Sequence, residues 1–336
     1  MLGLFRRAKK RICAFTYTHS QELFNDRISD MFCVAFENGF AVFDGDNGNL
    51  KSIVQSPYVD TSFIKTINSS NIVAIVPKDE GKIHLWDRNK GTFLCEILIK
   101  ERTRMTNFFF RPDCLIAINL NSINFINFFN QTQISSVITS TNLFGAFDMP
   151  FNFSSEISAI LSHNVGCFTF YSYINPDMRF HEIKAFNKDI NILKISPNGK
   201  IVAVSSLGHS KVKCYRIPSG EEVFTVTLPI SDKGAAAIEF DRYDSALLIV
   251  TPSNALYLYS MKVTVDVARS LTPISIRYDD HFSLPSSEFF WAHFGSRANT
   301  IIVVSQSGVY RKLKFDSNCK NLKVKEEKLL DFDIPA

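Results

Sequence analysis

No window of the 336-residue chain comes near the ~18 uninterrupted apolar residues that a membrane-spanning helix requires. The basic N-terminus is not followed by an apolar stretch of signal-peptide length, so the chain is expected in the cytosol. Its seven cysteines are scattered singly, with no C-x-x-C pair and no histidine at metal-ligand spacing. That argues against a zinc site and against a disulfide scaffold. Cys33, Cys95, Cys167 and Cys214 fall within strand-like runs and are expected to serve as small buried hydrophobes in a reducing compartment. The Asn-x-Ser/Thr triplets at Asn68, Asn130 and Asn152 then carry no sugar, because glycosylation needs the secretory route.

Catalytic signatures are missing as well. There is no G-x-S-x-G elbow, P-loop, dinucleotide fingerprint or H-E-x-x-H, and neither enzymatic activity nor a resident cofactor or metal is expected. The run Asp44-Gly45-Asp46-Asn47-Gly48 has the alternating oxygens of a calcium loop's first half, but the bidentate Glu that should close such a loop is absent. It reads as a tight turn made of residues that tolerate positive φ. Asp279-Asp280-His281 sets two carboxylates beside an imidazole, yet adjacent residues of an extended chain point to opposite sides.

What the chain has is β-forming sequence. Hydrophobic residues make up 46% and charged residues 21%, an ordinary globular balance. Phe alone occurs 31 times, and Phe, Tyr, Val, Ile and Thr suit a pleated, half-buried surface. The net charge of +4 is uneven: residues 6–11 read RRAKKR, and a second basic stretch runs from Arg311 to Lys328. These read either as solubilising ends or as contacts for an anionic surface.

An alternating apolar run, a turn and a second run ending in an aromatic recur along the whole chain. With Phe43, Trp86, Phe128, Tyr171, Tyr215, Tyr259 and Tyr310 as markers, the spacings are 43, 42, 43, 44, 44 and 51 residues. A four-stranded propeller blade takes about 40–45 residues. The expectation is an all-β, WD40-like, seven-bladed β-propeller forming one domain over residues 1–336. Its blades fall near 11–55, 60–100, 104–138, 145–184, 188–228, 234–278 and 286–330. In the second unit SFIKTI, NIVAIVP, KIHLWD and TFLCEIL read as strands, and in the fifth INILKIS, KIVAVSS, KVKCYRI and EVFTVTL do. The longer last spacing puts extra residues between Tyr259 and the seventh blade.

The segment IKAFNKDINILKISPNGKIVAVSSLGHSKVKCYRIPSGEEVF, Ile183 to Phe224, resembles the fifth blade of the PROPPIN family, the phosphoinositide-binding propellers that include the WIPI proteins of autophagy. Looser, collinear agreement extends through SDMFCVAFENGFAVFD, KIHLWDRNKGTFLCEI and SGVYRKLKF, so the resemblance covers nearly the whole chain. It implies a non-catalytic, monomeric, cytoplasmic adaptor for autophagy-type protein partners, peripheral to autophagosomal or endosomal membranes, with phosphatidylinositol 3-phosphate as the lipid and no nucleic acid. The departures bear on that lipid. Where the family has Phe/Leu-Arg-Arg-Gly, this chain has Val226, Thr227, Leu228 and Pro229, so the two guanidinium forks that grip the headgroups are gone. The family's strand His is replaced by Phe186, its Thr by Ser210 and its Arg by Lys213. Ser210 and Lys213 remain as weak lipid contacts by resemblance. The family's membrane-inserting loop of the sixth blade corresponds to a short insertion whose candidate contacts are Arg269, Leu271, Ile274, Ile276, Arg277 and Tyr278. A plain strand with its connecting loop fits that segment equally. The alternative to a lipid-reading adaptor is a WD-repeat interaction scaffold that binds no lipid.

Overall fold

A computed structural model describes residues 11–18, 30–55, 61–67, 70–77, 81–99, 105–111, 114–150, 157–178, 180–229, 231, 233–261, 274–276, 280–283 and 288–330. Those residues form strands and turns, with no helix among them. The first blade is β1 (Ile12–Thr18), β2 (Met31–Phe36), β3 (Gly39–Asp44) and β4 (Leu50–Gln55). The second is β5 (Thr61–Thr66), β6 (Ile72–Pro77), β7 (Lys82–Asp87) and β8 (Thr92–Leu98), and the third is β9 (Met105–Phe110), β10 (Cys114–Asn119), β11 (Ser122–Asn127) and β12 (Gln133–Ile138). The fourth holds β13 (Phe147–Asp148), β14 (Ile157–Leu161), β15 (Cys167–Ser172) and β16 (Ile183–Lys184). The fifth begins with β17 (Ile190–Ile195), β18 (Ile201–Ser206), β19 (Lys211–Arg216) and β20 (Glu222–Thr227), and the sixth with β21 (Ala237–Phe240), β22 (Ala246–Val250) and β23 (Ala255–Ser260). The short β24 (Ile274–Ile276) then returns to pair in parallel with β20 of the fifth blade before β25 (Asp280–Ser283) completes the sixth. The seventh is β26 (Phe290–Phe294), β27 (Thr300–Ser305), β28 (Val309–Lys314) and β29 (Lys323–Leu329). Within each blade consecutive strands pair antiparallel.

Seven apolar clusters hold the blades together, one at each junction. Cys33, Ala35 and Val42 of the first blade pack on Ile64, Val73 and Trp86 of the second. Phe32, Val34 and Phe36, the alternate residues of the same strand, pack on Ile302, Val304 and Tyr310 of the seventh. That last cluster closes the ring. Because strand side chains alternate between faces and both faces of a blade meet a neighbour, second strands such as MFCVAF and CLIAIN are buried at every position. They accordingly read as continuous apolar runs rather than alternating ones. Outer strands meet water: β8 and β12 are exposed at most positions.

Polar residues at the ends of third strands build the turns. Asp44 Oδ1 accepts the N–H groups of Asp46 and Asn47, Asp87 Oδ1 those of Asn89 and Lys90, and Asn127 Oδ1 those of Phe129 and Asn130. These are side-chain-to-backbone turns of the kind Asp and Asn favour. The Trp86-Asp87 dipeptide thus divides its work between the junction core and the next turn.

First strands of neighbouring blades approach one another, β1 with β5, β13 with β17, β17 with β21 and β21 with β26, and so line the inner wall of the ring.

Cys33, Cys167 and Cys214 are buried as expected, and none of the seven cysteines is in a disulfide. Cys95 corrects the expectation: it is exposed, because β8 is the outermost strand of its blade. Cys114 and Cys319, which the strand runs did not single out, are buried.

Candidate functional site

The fifth blade brings the two sequence-predicted lipid contacts to one end of β19. Ser210 directly precedes that strand, and Lys213 lies three residues on, opposite Val204 on one side and Thr225 on the other. The Ser210 carbonyl accepts the N–H of Leu228 at 2.8 Å. Lys213 Nζ sits 3.3 Å from Glu222 Oε2 and 5.6 Å from the centre of the Phe186 ring. Glu222 also accepts the Thr225 hydroxyl at 2.6 Å. The lysine is therefore already neutralised by a carboxylate on the adjacent strand.

His209 joins this group without having been singled out in the sequence. Its ring lies against Phe186 with centroids 5.1 Å apart, and its Nε2 is buried without a hydrogen-bond partner. Of the four positions that stand in place of the arginine motif, Val226 and Leu228 are buried in the junction with the sixth blade.

The remaining sequence candidates divide. Arg269, Leu271, Arg277 and Tyr278 lie outside the described residues. Ile274 and Ile276 are the end residues of β24, so the backbone of this insertion forms a strand on the fifth blade. Asp280 links the sixth blade to the seventh, its Oδ2 accepting the Leu322 N–H at 2.7 Å. The Asp44–Gly48 run is the tight turn it was read as, and the Asp46 carboxylate is held by Lys312 and by Arg297. Basic residues of the last stretch are likewise occupied within the fold: Arg311 pairs with Glu327 at 2.6 Å, and Lys328 donates to Asn49 at 2.8 Å. Among the described residues no group of three His, Cys, Asp or Glu side chains could hold a metal ion, and no helix is long and apolar enough to cross a membrane.

A second polar constellation lies on the inner wall, and sequence reasoning missed it. Lys194 of β17 pairs with Glu239 of β21 at 3.0 Å, and Glu239 lies 3.4 Å from His293 Nε2 of β26. The His293 ring stacks on Tyr17 of β1 at 4.7 Å, and the Tyr17 hydroxyl donates to Asp30 at 3.3 Å. Arg242 reaches the same Asp30 carboxylate at 3.2 Å. Asp148 of β13 accepts the Ile195 N–H of the next blade at 2.7 Å, and burial raises its carboxyl above the usual range. Burial works to lower the Lys194 ammonium, but Glu239 and then Asp148 hold it above its ordinary value. Lys65 of β5 has no ion pair among the described residues and stands 4.0 Å from the centre of the Phe109 ring. Burial, with Lys194 adding to it, pushes its ammonium down to about 8. The signal was present in the sequence as one acid or base in each of five inner strands, at Lys65, Asp148, Lys194, Glu239 and His293, with Tyr17 in β1.

These features define a ring of seven blades, without helix among the described residues, that carries an acid-paired lysine on its fifth member. No family model matches the chain, and no curated protein matches it by sequence. Solved structures do. Hsv2 from Kluyveromyces lactis, with its complete loop 6CD, superposes with a TM-score of 0.76 at 12% identity, over 96% of this chain and 100% of that one. Hsv2 from Kluyveromyces marxianus gives 0.76 at 13% identity over the same shares. KlAtg21, in a complex with the coiled-coil of AgAtg16, gives 0.76 at 11% identity and again covers 96% and 100%. These are PROPPIN structures, so the fold expected from the fifth-blade idiom is the fold of this chain.

Proposed function

We propose that the protein is a PROPPIN-type adaptor of autophagy or endomembrane trafficking, which engages protein partners through its loops and reads phosphatidylinositol 3-phosphate only weakly. The adaptor half is supported by the end-to-end match with Hsv2 and Atg21. The weak lipid half rests on one observation, the 3.3 Å pair between Lys213 and Glu222. A phosphate reaching Lys213 meets a point charge rather than a fork, and it must first displace a carboxylate. Charge-assisted forks are the strong phosphate partners, and here there is none. In this reading the protein acts as a monomer in the cytoplasm, on the surface of membranes rather than through them. The KlAtg21–AgAtg16 complex makes a coiled coil the first partner class to test.

Liposome flotation tests the reading. Vesicles with phosphatidylinositol 3-phosphate should recruit the protein modestly better than vesicles of equal charge made with phosphatidylserine. Lys213→Ala should erase that difference. Recruitment that follows total charge alone and vanishes at high salt would instead favour a scaffold that reads no lipid.

A further inference from the structure

The fourth strand of the fifth blade has the burial of an interior strand. In β20 the four central residues, Val223 to Val226, are buried, whereas β8, β12 and β29 in the same position of their blades are exposed at most residues. Its sequence is also that of an interior strand. After Glu222 it reads Val-Phe-Thr-Val-Thr, while β29 carries Lys323, Lys325, Glu326, Glu327 and Lys328. Charged side chains, lysine above all, are a usual protection for a sheet edge, and an apolar edge without them is a template for another strand. On β20 that template is filled. Phe224, Thr225 and Val226 stand opposite Ile274, Ser275 and Ile276 of β24, in parallel.

The cover is short and weakly fixed. Only three residues pair, parallel pairing is slightly weaker per residue than antiparallel, and each ordered residue gives up backbone entropy. What favours it is that the segment belongs to the same chain, which makes its pairing intramolecular and raises its effective concentration over that of a separate strand.

We propose that the outer edge of the fifth blade is a strand-addition site for an extended segment of a partner protein, which residues 274–276 occupy in cis until the partner's strand replaces them. Main-chain hydrogen bonds give affinity in such an arrangement, and the alternate side chains give selectivity. The sequence in the cis register sets the chemistry of the partner: an apolar β-branched residue opposite Phe224, a small polar one opposite Thr225 and a second β-branched one opposite Val226. The site does not depend on the lipid reading, because its edge groups are main-chain donors and acceptors of β20.

Two variants test it. In the first, residues 267–279 are replaced by a Gly-Ser linker. In the second, Ser275→Pro and Ile276→Pro are combined in the full chain, so that whichever of the two adjacent amides faces β20 is removed. A fluorescent peptide with the sequence Thr-Pro-Ile-Ser-Ile-Arg-Tyr of residues 272–278 is titrated by anisotropy. Both variants should bind it at least ten-fold more tightly than the unaltered protein, and a scrambled peptide should bind none of them. Amide hydrogen exchange should show the β20 amides that face β24 losing protection in the proline variant, while the β20 amides paired with β19, and β17 to β19 themselves, keep theirs. Peptide affinity that is the same in all three proteins, or β20 protection unchanged in the proline variant, overturns the proposal. If the linker variant fails to fold, the proline variant decides alone.

Discussion

Tyr310 of the seventh blade donates its hydroxyl to the backbone carbonyl of Asp46 in the first, at 3.0 Å. The contact lies on the seam where the two ends of the ring meet. Among the described residues no strand is shared across it, since the first blade is built from β1 to β4 and the seventh from β26 to β29. Closure instead rests on the apolar cluster of that junction and on the turn around Asp46, which receives Tyr310, Lys312 and Arg297. Arg11 adds a hydrogen bond to Gln306 at 2.7 Å.

Asp46→Ala leaves Lys312 without its carboxylate in a half-buried place. A stability loss of about 1–3 kcal/mol is expected, since a donor stranded on desolvation costs that much. Tyr310→Phe removes a single neutral hydrogen bond, and about 1 kcal/mol is expected. Urea unfolding of the two variants checks the order.

Lys65→Met should raise stability at neutral pH. The folded-state pKa of Lys65, about 8, is below the ~10.4 of an unfolded lysine. The folded protein therefore binds this proton less well, and the cost of keeping it is full below pH 8 and fades between 8 and about 10.4. Lys65 is only partly buried, so the gain at pH 7 is about 1–2 kcal/mol rather than the full shift. Thermal unfolding of variant and parent should converge near pH 10.

Asp244→Asn tests the opposite charge. Burial, opposed by a backbone hydrogen bond, raises the Asp244 carboxyl to about 6, above the ~3.9 of an unfolded aspartate. Stability carried by the protonated form is then present below about pH 3.9 and lost as pH rises to 6. Asparagine removes that loss and tolerates the backbone φ of 54° at this position. The variant should be about 1 kcal/mol more stable at pH 7.5, with the difference gone at pH 4. Equal denaturation midpoints at both pH values would refute the assignment.

Glu222→Gln should strengthen headgroup binding. It frees Lys213 from its carboxylate and keeps an acceptor for the Thr225 hydroxyl. Recruitment to phosphatidylinositol 3-phosphate vesicles should rise several-fold over the parent, and the added Lys213→Ala change should cancel the rise. An unaltered flotation profile would remove Lys213 from consideration.

The architecture was legible because each blade repeats a local instruction. Five markers, Phe43, Trp86, Tyr171, Tyr215 and Tyr259, occupy the fifth position of their third strands. Phe128 falls just beyond β11, and Tyr310 sits at the second position of β28, so the counting succeeded with two markers out of phase. Turns were readable for the same reason, since Asp44 and Asp87 bond to the next few residues of their own chain. The inner wall was not. Lys194, Glu239 and His293 come from three successive blades, and a contact between blades leaves no fixed spacing within any one of them. The carboxylate that neutralises Lys213 was likewise invisible, because nothing in the sequence says that Glu222 and Lys213 share a face. The return of residues 274–276 to a blade already complete has no local signal either.

Five of the seven sheets are each made, among the described residues, from strands that follow one another directly along the chain, and the sixth is interrupted only by β24. A ribosome therefore releases them finished, one after another. The fifth is different, because its last member is translated only after three strands of the sixth. Its oily border stays bare for that interval, so nascent-chain chaperones and premature self-association would act there first.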